Sequence, residues 1–194
     1  SRRVKTHNRT LYQLTRRLCG LPLADCASLI RSAIFYDGSI AESALPEINR
    51  AKFELMDLDG VLSFEYRTEQ FASVAGMQRL RAWLEQRREA AIADGEAGAL
   101  DRPKGVLLLG VQGAGKSLTA RAVAGAWGLP LLRLDMGALY NKYIGETERN
   151  LRESLRSAEL MAPCVLWLDE IEKGVGGTDT DEGVLIRARL PHRD

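Results

Sequence analysis

The run Val106-Leu107-Leu108-Leu109, followed by Gly110-Val111-Gln112-Gly113-Ala114-Gly115-Lys116-Ser117, constrains this 194-residue chain more than any other feature. Four apolar residues in a row suit a strand buried on both faces of a parallel sheet. The eight residues after them fit the pattern G-x-x-x-x-G-K-[ST]. Glycines at these places let the main chain turn tightly enough for successive N–H groups to converge on a polyphosphate. Lys116 has the length to reach the β- and γ-phosphates, and the Ser117 hydroxyl can ligate Mg²⁺. Leu118, Ala122, Val123 and Ala126 then recur at helical spacing, and Gly128 and Pro130 are stop signals. The positive end of that helix adds to the same anion site. So short a motif also arises by chance in turns that bind nothing, but strand, glycine turn and helix together are the setting it requires.

Size and composition narrow the class further. The chain has room for one sizeable domain, or a small one and part of another. Its 45% apolar and 27% charged residues are ordinary for a globular protein, and a net charge of +1 gives no general argument for nucleic acid or a membrane surface. No apolar run approaches the roughly 18 residues needed to span a bilayer. No apolar stretch of the secretory type follows Ser1-Arg2-Arg3-Val4-Lys5. Cys19, Cys26 and Cys164 lack metal-ligand spacing and their odd number makes a poor disulfide framework. They read as small buried hydrophobes in a reducing cytosol.

Residues 1–60 read as helical. Leu11, Leu14 and Leu18 sit at helical spacing, Leu23, Ala27, Ile30 and Ile34 continue it after Pro22, and Pro46 opens a further helix with Ile48, Ala51 and Leu55. Six basic residues precede the first acidic one, Asp25, which raises a nucleic-acid arm. The scarcity of aromatics beyond Tyr12 favours a solvated helix face. A second segment begins near Phe64, with a helix carrying Met77, Leu80, Trp83 and Leu84, then a polar loop at residues 94–98. From there strands alternate with helices: a strand over 131–134, a helix over 146–160 and a strand over 165–168. That alternation predicts an α/β fold with a parallel sheet and right-handed crossovers.

The second chemical signal is Val165-Leu166-Trp167-Leu168-Asp169-Glu170, an apolar strand ending in two acids. Such a strand delivers carboxylates to the sheet edge at which open α/β folds bind ligands. Asp169 is suited to the Mg²⁺ shell, and Glu170 to orienting and deprotonating an attacking water. Alone, such a pair is more often a helix cap or a solvated turn. It stands 52 residues beyond Ser117, with a strand and a helix between, where a phosphate loop needs its companion.

On these residues the chain resembles the AAA+ ATPases, P-loop NTPases whose Walker A loop Gly110–Ser117 matches and whose Walker B strand and following glutamate Val165–Glu170 match. The wording around the motifs is most similar to the ycf-type AAA proteins of plastids, cyanobacteria and other bacteria. The resemblance implies ATP and Mg²⁺ as cofactors and ATP hydrolysis coupled to remodelling of a protein or complex. It also implies a homo-oligomer and a cytoplasmic or plastid-stromal setting. The nucleotide contacts it implies are Gly110, Val111, Gln112, Gly113, Ala114, Gly115, Lys116, Ser117 and Leu118, with Val74-Ala75-Gly76 at the adenine. Ser117 and Asp169 would serve the metal, and Lys116 and Glu170 catalysis. Tyr143-Ile144-Gly145 is similar to the aromatic–hydrophobic–glycine triplet that grips polypeptide in a central pore in many members, though such a tyrosine is often only packed on the neighbouring turn.

Two domains are expected on this basis: 1–60, a helical segment akin to the lid of a degenerate AAA-like half, and 61–194, a nucleotide-binding core. After Lys173 the family's pattern departs. Its later strand with a polar sensor, its arginine finger and its helical lid are not visible, and that strand belongs between the two catalytic strands. The expectations are therefore a C-terminally incomplete core with an empty slot in its sheet, a truncated chain and weak hydrolysis. Arg187, Arg189 and Arg193 are finger candidates by charge alone. A nucleic-acid motor or loader on the same core, and a scaffold that binds nucleotide without turnover, are the competing readings.

Overall fold

The structure, a computed structural model, describes residues 7–37, 42–56, 62–67, 74–92, 103–142, 147–171 and 183–189. It opens with α1 (Asn8–Leu18), α2 (Leu23–Asp37) and, after a short 3-10 turn at Glu42–Ala44, α3 (Leu45–Leu55). Pro22 stands just before α2, where its carbonyl accepts the amides of Asp25 and Cys26, and Pro46 lies in the first turn of α3. In both places proline is compatible with the helix, since first-turn amides need no intrahelical partner. Leu14, Leu18, Leu45 and Ile48 form the buried centre of this block, with Leu29, Ile30 and Ile34 of α2 packed around it; Leu11 stays half exposed.

The remaining elements are β1 (Leu62–Glu65), α4 (Gln78–Ile92), β2 (Val106–Leu109), α5 (Lys116–Trp127), β3 (Leu131–Asp135), α6 (Met136–Lys142), α7 (Thr147–Leu160), β4 (Cys164–Asp169) and β5 (Gly183–Arg189). They build one sheet in the order β1-β3-β4-β5-β2. Alternate residues of β3 and β4 point to opposite faces. Leu131, Val165 and Trp167 pack with Ala120, Val123 and Trp127 of α5 and Leu84 of α4. Leu132, Leu134 and Leu166 pack with Leu139 of α6 and Ala158 of α7. Helices on both faces account for the leucines, valine and tryptophan of these two strands, whose charged residues are Arg133, Asp135 and Asp169.

Three sequence expectations are corrected. First, the slot between the glycine-loop strand β2 and the acid-ended strand β4 is not empty: β5 fills it, so the core does not lack every later strand. It pairs antiparallel with both neighbours, Leu107 and Leu168 each standing opposite Leu185. Backbone N–H and C=O groups inside a sheet need partners, and an antiparallel return supplies them without the helical crossover that a parallel one demands. Second, the sheet is mixed. β2, β3 and β4 run the same way, yet only β3 and β4 are direct parallel neighbours, because antiparallel β5 separates β2 from β4, and β1 is antiparallel to β3. Third, β2 is not buried on both faces. It lies at the sheet's end, with Leu107 54% and Leu109 68% exposed, while Val106 and Leu108 pack toward α5.

Two buried cations fasten the helical block to the sheet domain. Lys52, 1% exposed, donates to the carbonyls of Arg17 (2.8 Å), Cys19 (2.6 Å) and Leu160 (2.5 Å), at the C-terminal ends of α1 and α7. A cation there meets both helix dipoles at their negative ends. Arg17 donates to the Gly128 carbonyl just past α5 (3.1 Å). Burial pushes its guanidinium down to about 10, against the opposing pull of Glu42, and burial likewise lowers Lys52. Arg17 of the basic N-terminal cluster is thus committed to an internal contact. Of the cysteines, Cys164 is buried and Cys26 half-buried, but Cys19 is exposed, contrary to the reading of all three as buried.

Candidate nucleotide site

The six residues between β2 and α5 form the loop that the glycines foreshadow. Gly113 and Gly115 both take left-handed backbone, at φ +83° and +86°. A side chain at either would meet no neighbour within 4 Å, so the requirement for glycine is purely conformational. At Gly110 a Cβ would meet the Ala114 Cβ at 3.4 Å, an ordinary van der Waals contact, so neither conformation nor space demands glycine there. Gly115 is the N-cap of α5 and brings no side-chain acceptor to its first-turn amides. Those donors remain available to an anion.

Lys116 turns into the loop and is buried. Its ammonium donates to the carbonyls of Gly110 (2.6 Å) and Val111 (2.9 Å). Beside it, the Ser117 hydroxyl has no hydrogen bond among the described residues, and Leu118 packs its side chain toward the core. Val111, Gln112, Gly113 and Ala114 are exposed. One turn on, the fully buried Thr119 hydroxyl lies 2.9 Å from the Gly115 carbonyl and 3.1 Å from the Met77 sulfur. That contact holds the segment Val74-Ala75-Gly76 against the start of α5: Val74 is buried in the shared core, and Gly76 and Met77 adopt φ of +77° and +57°. Ala75 is exposed.

β2 and β4 run in the same direction with one strand between them, about 10 Å apart at the usual strand spacing. Their common alignment on Leu185 puts the glycine loop and Asp169-Glu170 at the same sheet edge. Asp169 is half-buried and receives two bonds on Oδ2 from Arg133, from Nη2 at 2.7 Å and from Nε at 3.1 Å. Glu170 takes φ +52°, a conformation costly for a residue with a side chain. Lys116, Ser117, Asp169 and Glu170 therefore share one edge. Arg187 and Arg189 do not: their backbones stand opposite Leu166 and Cys164, toward the start of β4 and away from Asp169. That placement argues against either as a finger acting in this site. Tyr143, Ile144, Gly145 and Arg193 lie outside the described residues.

Sequence reasoning missed Arg133, Asp135 and Thr119. The available signal was one charge, Arg133, inside the apolar run of β3. Among the described residues no group of three or more His, Cys, Asp or Glu side chains could hold a metal by itself, and no helix is long and apolar enough to cross a membrane. The Ser117 hydroxyl and the Asp169 carboxylate are oxygen donors at the phosphate edge, which suits a Mg²⁺ that takes most of its ligands from substrate and water.

The family model described as "ATPase family associated with various cellular activities (AAA)" matches residues 106–188, and "SpoVK-like AAA ATPase, second domain" matches residues 1–59. The chain is 34% identical over 167 residues to "Uncharacterized AAA domain-containing protein ycf46" of Trieres chinensis, covering 86% of this chain and 34% of that protein. It is 36% identical over 176 residues to the protein of the same name in Pyropia yezoensis, covering 90% and 36%. To "26S proteasome regulatory subunit 7 homolog B" of Arabidopsis thaliana it is 45% identical over 85 residues, 44% of this chain and 18% of the other. The chain thus spans about a third of the length of the ycf46 relatives. With the loop folded as its glycines require and both motifs on one edge of an α/β sheet, the chain belongs to the AAA ATPase family.

Proposed function

We propose that this chain is the nucleotide-binding part of an ATPase that hydrolyses Mg·ATP and couples turnover to remodelling of a polypeptide or protein complex. The observation that carries this reading is the loop itself: left-handed Gly113 and Gly115, uncapped first-turn amides on α5 and a buried Lys116 whose ammonium sits on loop carbonyls. In the proposed cycle Lys116 leaves the carbonyls of Gly110 and Val111 for the β- and γ-phosphates, and the α5 amides receive the same phosphates. Ser117 and Asp169 would hold Mg²⁺, which when bound neutralises charge on the phosphate oxygens. Glu170 orients the attacking water and accepts its proton, a role worth about 10²–10⁴-fold in rate. Val74-Ala75-Gly76 would wall the adenine end, a reading supported by the packing of Val74 in the shared core and the Met77–Thr119 contact.

We further assign residues 1–60 to a helical domain and 61–194 to the nucleotide core, joined by Lys52 and Arg17. An oligomer would supply the arginine finger from a neighbouring subunit, and Tyr143-Ile144-Gly145 would contact the polypeptide. The likeness to a proteasome regulatory subunit supports a protein-complex role. The cytoplasm or the plastid stroma is the proposed compartment. Arg17, turned inward, is one basic residue fewer for a nucleic-acid arm.

The test compares nucleotide binding and phosphate release for the full chain and Glu170→Gln. The variant should bind Mg·ATP as well as the parent and release phosphate at least about 100-fold more slowly. Equal turnover in the two would refute the assignment of the base. Tyr143→Ala should spare ATP turnover and abolish polypeptide remodelling; loss of nucleotide binding would show that the tyrosine is structural.

A further inference from the structure

The mid-strand charge of β3 has a use that the nucleotide site alone does not explain. Arg133 faces Trp167 across the β3–β4 register, and its guanidinium lies 5.0 Å over that indole ring. From there it reaches two carboxylates. Asp169 Oδ2 receives both Nη2 (2.7 Å) and Nε (3.1 Å), whereas Asp135 Oδ2 is 3.5 Å from Nη2. Asp135 and Asp169 are register partners on adjacent parallel strands, so their like charges stand side by side with Arg133 as the cation between them. The second oxygen of Asp135 is engaged elsewhere: Oδ1 accepts the Ala138 amide at 2.8 Å, in the first turn of α6. α6 leads in sequence to Tyr143.

The guanidinium is thus shared unequally, close on the acid of the phosphate edge and loose on the acid that caps α6. Any ligand that draws Asp169 toward itself weakens the first contact. Stacked on Trp167, the fork needs only a small rotation to strengthen the second. We propose that Arg133 is a positioning residue that passes the state of Asp169 to the start of α6: it holds Asp169 while no metal–phosphate group competes, and shifts onto Asp135 when one does. This rests on the proposed nucleotide reading of the site. It concerns coupling between two parts of the chain, where that reading concerns what the site binds.

The experiment uses the full chain, a non-hydrolysable ATP analogue with Mg²⁺, and two readouts: analogue binding over a Mg²⁺ titration, and amide hydrogen exchange of α6, Ala138 above all. In the parent, the analogue should change α6 exchange several-fold. Arg133→Met should still bind the analogue, at a Mg²⁺ requirement several-fold lower because Asp169 is no longer shared, and its α6 exchange should not respond. Asp135→Asn keeps an oxygen for the Ala138 amide but removes the charge that attracts the guanidinium. It should bind normally and also lose the α6 response, which guards against a misfolded Arg133 variant. An α6 response of parental size in both variants overturns the proposal. So does an Arg133→Met protein that binds more weakly with and without Mg²⁺ alike, since that marks a merely structural arginine. Failure of the parent to bind the analogue at all defeats the nucleotide reading and this coupling with it.

Discussion

Lys116→Met puts a number on the glycine loop. In the structure the ammonium is not waiting in solvent. It already has carbonyl partners at 2.6 and 2.9 Å, Gly110 and Val111. Binding a polyphosphate exchanges those two bonds for bonds to phosphate oxygens, so only the difference reaches the affinity. A hydrogen bond to a charged group contributes about 1.5–3 kcal/mol, and the carbonyl bonds given up offset part of what two such bonds would gain. The expected loss on removing the ammonium is therefore about 1.5 kcal/mol, or roughly tenfold weaker binding of Mg·ATP. The fold should barely notice. Val111 is exposed, so water can take over at the vacated carbonyls, and unfolding free energy should fall by less than about 1 kcal/mol. Calorimetric titration of the full chain and its variant, with urea unfolding of both, measures the two quantities. Unchanged affinity in a folded variant would show that Lys116 does not meet the phosphates. A loss beyond roughly 1,000-fold, about 4 kcal/mol, would show that the carbonyl contacts do not compete.

Other perturbations test the fold around that loop. Gly115→Ala forces a Cβ onto left-handed backbone in open space, so it should cost about 1–2 kcal/mol in urea unfolding from conformation alone; a neutral result would mean that the loop relaxes freely. Lys52→Met removes the donor to three helix-end carbonyls while sparing the ammonium's desolvation, and should cost about 3 kcal/mol net in the same assay. A cost under about 0.5 kcal/mol would deny Lys52 its fastening role. That gap should also widen with pH. Burial holds the folded-state pKa of Lys52 below its unfolded value of 10.5. Between the two values the unfolded chain binds more protons, so this contribution to parental stability grows as pH rises through that window. Urea midpoints of parent and Lys52→Met at pH 7.5 and 9.5 measure it, and a gap that narrows refutes the sign.

How much could be read in advance differs by element. The loop was legible because left-handed turns, uncapped amides and a phosphate-reaching amine each demand particular residues at fixed offsets. Gly113 and Gly115 do take left-handed backbone, and Lys116 does turn into the loop. Helices α1, α2, α3, α5 and α7 followed from apolar spacing and from Pro22 and Pro46. β1 was not foreseen, because the four residues Leu62–Glu65 are too few for a periodic pattern and owe their strand state to β3. The exposure of Leu107 and Leu109 was hidden too. Four apolar residues read alike whether a helix covers one face of their strand or both.

The sequence by itself determined which residues can bend around a phosphate, and that two acids end a strand, since both depend on local backbone chemistry. Tertiary structure alone decided their neighbours. It set β5 antiparallel between the two motif strands, buried Lys52 against three carbonyls from two helices, and brought Arg133 of one strand onto Asp169 of the next. Those pairings join residues 17 to 108 positions apart, and partner choice at such separations depends on which unpaired backbone and charge the packed chain must still satisfy.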